Sequence, residues 1–136
     1  MLIREFISET NKNKMISDLL KYYKVGSVKV KQKSMKDHAH YNVDTGTLEL
    51  STRYKTIKNR QLKEFLITIL HEIYHAMDAK KYGWKKFKDM YEMEMNLQIA
   101  KGKDEYDDNK YEIEAEKFGQ KNWSKWKTRF KKEGLI

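Results

Sequence analysis

The chain is 136 residues long, with 29 basic and 20 acidic side chains, a formal net charge of +9, and neither cysteine nor proline. Such a length makes one domain, residues 1–136, with room for a modest core; the lack of cysteine excludes disulfides and thiolate metal sites, leaving histidine and carboxylate as metal donors. No apolar run is long enough for a membrane span or a leader h-region, so no membrane partner is expected and a cytoplasmic location follows.

Ser8 to Tyr23 reads as an amphipathic helix, with Met15, Ile16, Leu19, Leu20 and Tyr23 on one face and Gly26 placed to stop it. Ser27 to Lys33 alternates apolar and basic residues, the pattern of a half-buried strand. A second strand, about His38 to Val43, leads through Asp44-Thr45-Gly46 into a third, Thr47 to Ser51, a hairpin signal. A small antiparallel sheet is the expected result. His38 and His40 share one face of that hairpin, but nothing in the sequence brings them to a metal, and they are read as exposed side chains.

Thr56 to Tyr82 reads as one long helix, capped by Thr56 or Asn59 and ended near Gly83. Its apolar residues, from Leu62 and Phe65 through Leu66, Ile69, Leu70 and Ile73 to Ala76, recur in steps of three and four. Within it lies His71-Glu72-Ile73-Tyr74-His75, an H-E-x-x-H pattern. Histidines four apart on a helix point the same way, about 6 Å apart along the axis, so both can reach one ion. Neutral imidazole suits Zn²⁺, and Glu72 sits beside the ligands, where it can take a proton from water without binding the metal. Asp78 is too nearly collinear with the two histidines to be a third ligand and is read as orienting a histidine or a loop.

Trp84, Phe87, Met90, Tyr91, Glu94 and Leu97 repeat at helical spacing and read as a core stripe. Lys101 to Lys110 reads as an exposed connection or lid. A last helix opens at Tyr111, and Glu112, Glu114 and Glu116 offer carboxylates on different faces. Glu112 and Glu116 share one of these faces, and small Ala115 permits close helix approach. Trp123, Trp126 and Phe130 form a stripe read as docking on the core, with base stacking as the alternative use. Seven basic residues accompany it between Lys117 and Lys132. The basic surface therefore makes nucleic acid one class of partner to consider.

His71-Glu72-x-x-His75 followed by Glu112-x-x-Ala115-Glu116-x-Phe118 resembles the gluzincin arrangement of zinc metallopeptidases. His75-Ala76-Met77-Asp78 and the Glu-x-x-Ala-Glu-x-Phe run are most similar to the lethal-factor-like zincins, with the ImmA/IrrE-type peptidases of phages and mobile elements close behind. The match covers roughly residues 47–118; Glu116 stands where many gluzincins carry Asp, and Gly119 where an alanine often follows. The resemblance implies an α+β zincin-like domain, a short antiparallel sheet packed on the H-E-x-x-H helix with further helices. It also implies a zinc-dependent hydrolysis of peptide bonds in an intracellular protein, with Glu72 as general base. Glu112 would be the third ligand, with Glu114 as its rival, and Glu116 would buttress a ligating histidine, His71. Tyr106 or Tyr111 would donate to the oxyanion, and Thr47 to Ser51 would be the edge strand that takes the substrate.

Overall fold

The computed structural model describes residues 6–136, and the start of the chain, on which part of the leader expectation rests, lies outside them. Four helices and five short strands alternate in an α+β arrangement: β1 (Phe6–Ile7), α1 (Glu9–Tyr22), β2 (Lys29–Lys33), β3 (Ala39–Asn42), β4 (Thr47–Ser51), β5 (Ile57–Lys58), α2 (Leu62–Tyr82), α3 (Trp84–Ala100) and α4 (Lys110–Lys132). Among the described residues, no helix is long and apolar enough to cross a membrane.

Helix α1 begins on Ser8, whose hydroxyl accepts the Asn11 N–H at 3.1 Å. Its end differs from the expectation. The left-handed residue is Lys24 (φ 61°) rather than Gly26. Val25 N–H returns to Leu20 C=O at 2.8 Å and Lys24 N–H to Lys21 C=O at 3.1 Å, closing the last turn. Buried Val25 rewards that turn by entering the core.

The main sheet is mixed, not antiparallel, in the order β2-β4-β3. The hairpin partner β3 runs antiparallel to β4, pairing Ala39 with Leu50 and Asn42 with Thr47, while β2 lies parallel to β4 on its other side. Residue chemistry explains the order. Leu48, Glu49, Leu50 and Ser51 are all buried, as suits a strand flanked on both sides, whereas β2 carries Lys29, Lys31 and Lys33, charges that protect an edge. Consequently β4 is central and cannot accept an added strand; the free edge beside α2 is β3.

Helix α2 is the core of the molecule. Phe65, Leu66, Ile69, Leu70 and Ile73 are fully buried against the sheet, α1 and α4. It starts later than expected, at Leu62: Ile57 is drawn into pairing with Ile7 of β1, and a 3-10 turn over Asn59–Gln61 leads in, so neither Thr56 nor Asn59 caps α2. At its far end Gly83, with φ 84° and ψ 140°, turns the chain directly into α3.

Only part of the α3 stripe is core. Phe87 is buried and Met90 and Tyr91 are half-buried against the core, but Trp84 and Leu97 are exposed, as are Met93 and Ile99; in the later turns the buried side chains are the polar Glu94 and Gln98. Residues 101–108 form an exposed connection, as expected, ordered by Asp104, whose carboxylate accepts the N–H groups of Tyr106 and Asp107 at 2.8 and 2.6 Å. Asn109 then caps α4, accepting the Tyr111 N–H at 2.9 Å.

Helix α4 lies along α2, and the contact is set by small residues. Ala115 is fully buried, and a Cβ added at Gly119 would stand 2.7 Å from the Ile67 carbonyl oxygen. Only glycine allows that separation. Farther on, Trp126 and Phe130 are buried beneath α1, with the Trp126 indole N–H donating to Tyr23 Oη at 3.0 Å. The aromatic tail is therefore docked on the core.

Candidate metal centre

The α2–α4 contact brings three side chains to one point. His71 and His75, one turn apart on α2, both direct Nε2 at Glu112 Oε1 from the first turn of α4; the His71 distance is 2.9 Å and the His75 contact is shorter. Their ligand atoms lie within 4.8 Å of one another, and the three residues are 5–7% exposed. Glu114 does not join them. It projects outward to Tyr74 Oη at 3.4 Å, because two residues along a helix turn a side chain away from its neighbour's face.

Surrounding groups hold these three side chains in place. Glu116, one turn beyond Glu112, places Oε2 3.0 Å from His71 Nδ1. Tyr91 of α3 donates its hydroxyl to Glu112 Oε2 at 2.6 Å, so the two carboxylate oxygens have separate partners. Glu94, buried on α3, accepts the Lys110 N–H at 2.8 Å and so ties α3 to the start of α4 just before Glu112. Asp78 lies where His75 influences its ionisation, yet its Oδ2 and His75 Nδ1 are both buried without a hydrogen-bond partner.

Donor chemistry tests whether these residues fit a metal. With a proton on His71 Nδ1 shared with Glu116, Nε2 presents a lone pair to Glu112 Oε1, itself an acceptor. His75 Nε2 faces the same oxygen. A proton on either Nε2 satisfies Glu112 Oε1 by a hydrogen bond, and a metal ion held between the three atoms would satisfy all of them at once. Two imidazole nitrogens and one carboxylate oxygen form a set that borderline divalent ions accept, so the site fits a metal ion.

The electrostatics of the three side chains are strongly coupled. Burial disfavours the charged form of His71, but the Glu112, Glu72 and Glu116 carboxylates outweigh it and push its pKa up to about 9. Burial raises the Glu112 carboxyl, yet the hydrogen bonds from both histidines and from Tyr91 reverse this and hold it well below the usual carboxylate range. Glu72 is buried beside the histidines, and desolvation lifts its carboxyl above the ordinary value against the pull of both imidazoles.

A cleft of about 910 Å³ opens over this centre. Its floor is His71, Glu72, His75 and Glu112, with the β3 edge along one side and Tyr106 from the 101–108 connection on the other. Burial, Glu112 and Glu72 together disfavour the Tyr106 phenolate, so its hydroxyl remains a donor. Tyr111 instead is buried against Phe87 and Tyr91 and does not line the cleft. The histidines left out at the sequence level separate. His40 is exposed on the cleft wall, whereas His38 Nδ1 lies 2.6 Å from Tyr54 Oη and 2.9 Å from Glu64 Oε1.

No protein-family model matches the chain, and no curated protein or solved structure matches it either. Tyr91 and Glu94 were hidden by their place in an apolar stripe. The available signal was a tyrosine and a glutamate at helical spacing on a face otherwise apolar, since buried polar tips need partners.

Proposed function

We propose that this protein is a zinc-dependent peptide hydrolase with a zincin-like fold. The observation that supports it most is the convergence of His71 Nε2, His75 Nε2 and Glu112 Oε1 on one point, at the floor of a cleft that Glu72 also lines. Zinc bound there would supply Lewis acidity, making a bound water acidic near neutral pH and polarising a carbonyl.

The chain's own groups would do the rest. Glu72, with its pKa lifted by burial, is suited to accept a proton at its carboxylate and return it to the departing amine. Tyr106 offers a hydroxyl to the oxygen that gains charge. Tyr91 holds the second oxygen of Glu112, favouring one-oxygen ligation that leaves a position open for water. An extended substrate would lie against β3, the free edge beside the cleft.

Glu72→Gln is the decisive substitution. It should keep bound zinc at the wild-type level while peptide cleavage falls by a factor of about 10² to 10⁴; cleavage retained at the wild-type rate would remove Glu72 as the base.

A second reading, a basic module that binds nucleic acid, has one observation in its favour: from Lys117 to Lys132, α4 carries seven basic residues and no acidic one. Binding of duplex DNA that weakens steeply with salt and survives Glu72→Gln would support it. Against it, Lys125 and Arg129 lie over the rings of Tyr22 and Trp126, which accounts for two of the seven.

A further inference from the structure

The cleft has two unlike ends, and its direction can be read from pairs along its length. His38 stands by Glu64, His40 is close enough to Glu72 to affect its ionisation, and Asp44, just past β3, meets Lys88 of α3 at 2.6 Å. Strand β3 and helix α2 therefore run in the same direction along the cleft, with the metal centre between two flanks.

The flank at the start of α2 is basic. Lys36, Arg60 and Lys63 line it, and among the described residues none of the three is in an ion pair. Two carboxylates share this flank, Asp37 and Glu64. Glu64 is already engaged, accepting the Tyr54 hydroxyl and lying 2.9 Å from His38, which leaves three cations against one free carboxylate. Lys63 is held over the Trp123 ring, 5.0 Å from its centroid, so its ammonium has a defined place.

The other flank is apolar. Tyr41, Val43, Phe87 and Tyr91 wall it, with Phe87 and Tyr41 buried. Among the described residues, no lysine or arginine lines this end.

From this asymmetry we infer a substrate class: an extended acidic peptide whose Asp or Glu sits on the Arg60 and Lys63 flank and whose large apolar side chain sits on the Phe87 flank. The inference rests on the peptide-hydrolase reading and adds selectivity to it. Position follows from helix geometry. Lys63 precedes Glu72 by nine residues, about 13 Å of helix axis. An extended chain covers that in about four residues, so the acidic side chain belongs about four residues from the scissile bond. Charge on an open rim also raises the encounter rate with acidic partners.

The test is digestion of a proteome-derived peptide library by the zinc-loaded protein, with the new termini sequenced by mass spectrometry. The same digestion is run on Arg60→Glu/Lys63→Glu and on chelated protein. Binding of one acidic peptide and its lysine-substituted twin to zinc-loaded Glu72→Gln is measured in parallel. The expected result is metal-dependent cutting with Asp and Glu enriched about fivefold near the fourth residue on one side, as two half-exposed ion pairs would give. In the double variant, with zinc content unchanged, that enrichment should be lost or turn toward Lys and Arg. Metal-dependent cutting with no acidic enrichment would overturn the substrate inference and leave the hydrolase standing. Tighter binding of the acidic peptide by Glu72→Gln, abolished by the double variant, would support the inference even where library cuts are few. Neither cutting nor binding of any peptide would count against both.

Discussion

Two histidine–carboxylate clusters line the same cleft and differ in kind. In one, His71, His75 and Glu112 are almost fully buried and bring two imidazole nitrogens and a carboxylate oxygen to a single point. In the other, His38 and Glu64 are 44% and 47% exposed at their side chains and share the Tyr54 hydroxyl, a donor that already supplies a proton. The first cluster has the donor set and the burial that a metal ion would need; the second is a closed hydrogen-bond network open to water. Residue type alone does not make a metal site. Burial and the convergence of three possible ligand atoms on one point set the first cluster apart.

Breaking the first cluster should have the largest effect. His75→Ala or Glu112→Ala should abolish stoichiometric zinc, measured by elemental analysis, because two donors remain where three are needed. Gly119→Ala comes next. The new Cβ would press on the Ile67 carbonyl, and relieving it means separating α2 from α4 and carrying Glu112 and Glu116 away from the histidines. Overpacking of this kind costs about 1–3 kcal/mol, visible as a lower Tm together with weakened zinc binding.

Tyr91→Phe tests a finer point. Losing the hydroxyl that holds Glu112 Oε2 should weaken zinc binding by a factor of about 10, measured by competition with a chelator, with secondary structure intact. The pH dependence follows from His71. In the metal-free protein its pKa of about 9, against 6.5 for a free imidazole, contributes stability that is full below pH 6.5 and lost as pH rises through about 9. Zinc must displace that proton, so the rise in Tm on adding zinc should grow over the same window. Smallest of all should be His38→Ala. It removes one partner from a half-exposed network, costing about 1 kcal/mol of stability with no change in bound zinc. A loss of zinc there would erase the distinction between the clusters.

Much of the centre was legible before the fold. The spacing in His71-Glu72-Ile73-Tyr74-His75 sets two donors on one helix face by geometry alone, and the Glu112-x-x-Ala115-Glu116 run put carboxylates beside a small residue where two helices can meet. Strand order was not legible. Each strand announced itself by alternation, but alternation says nothing of neighbours, and the charge on β2 that sends it to an edge was visible only as a basic bias. For the same reason the free edge was placed on Thr47–Ser51 rather than on Ala39–Asn42. The α3 stripe misled in the opposite sense. Helical periodicity marks an apolar face, but the buried line of α3 runs through Phe87, Glu94 and Gln98, which leaves Leu97 outside it.

The most direct test of the metal centre is elemental analysis of protein purified without added metal and then after incubation with zinc, alongside His75→Ala and Glu112→Ala. One zinc per chain in the wild type, lost in both variants while each remains folded, is the predicted result. A wild-type protein that takes up no zinc, or variants that bind it as well as the wild type, would contradict it.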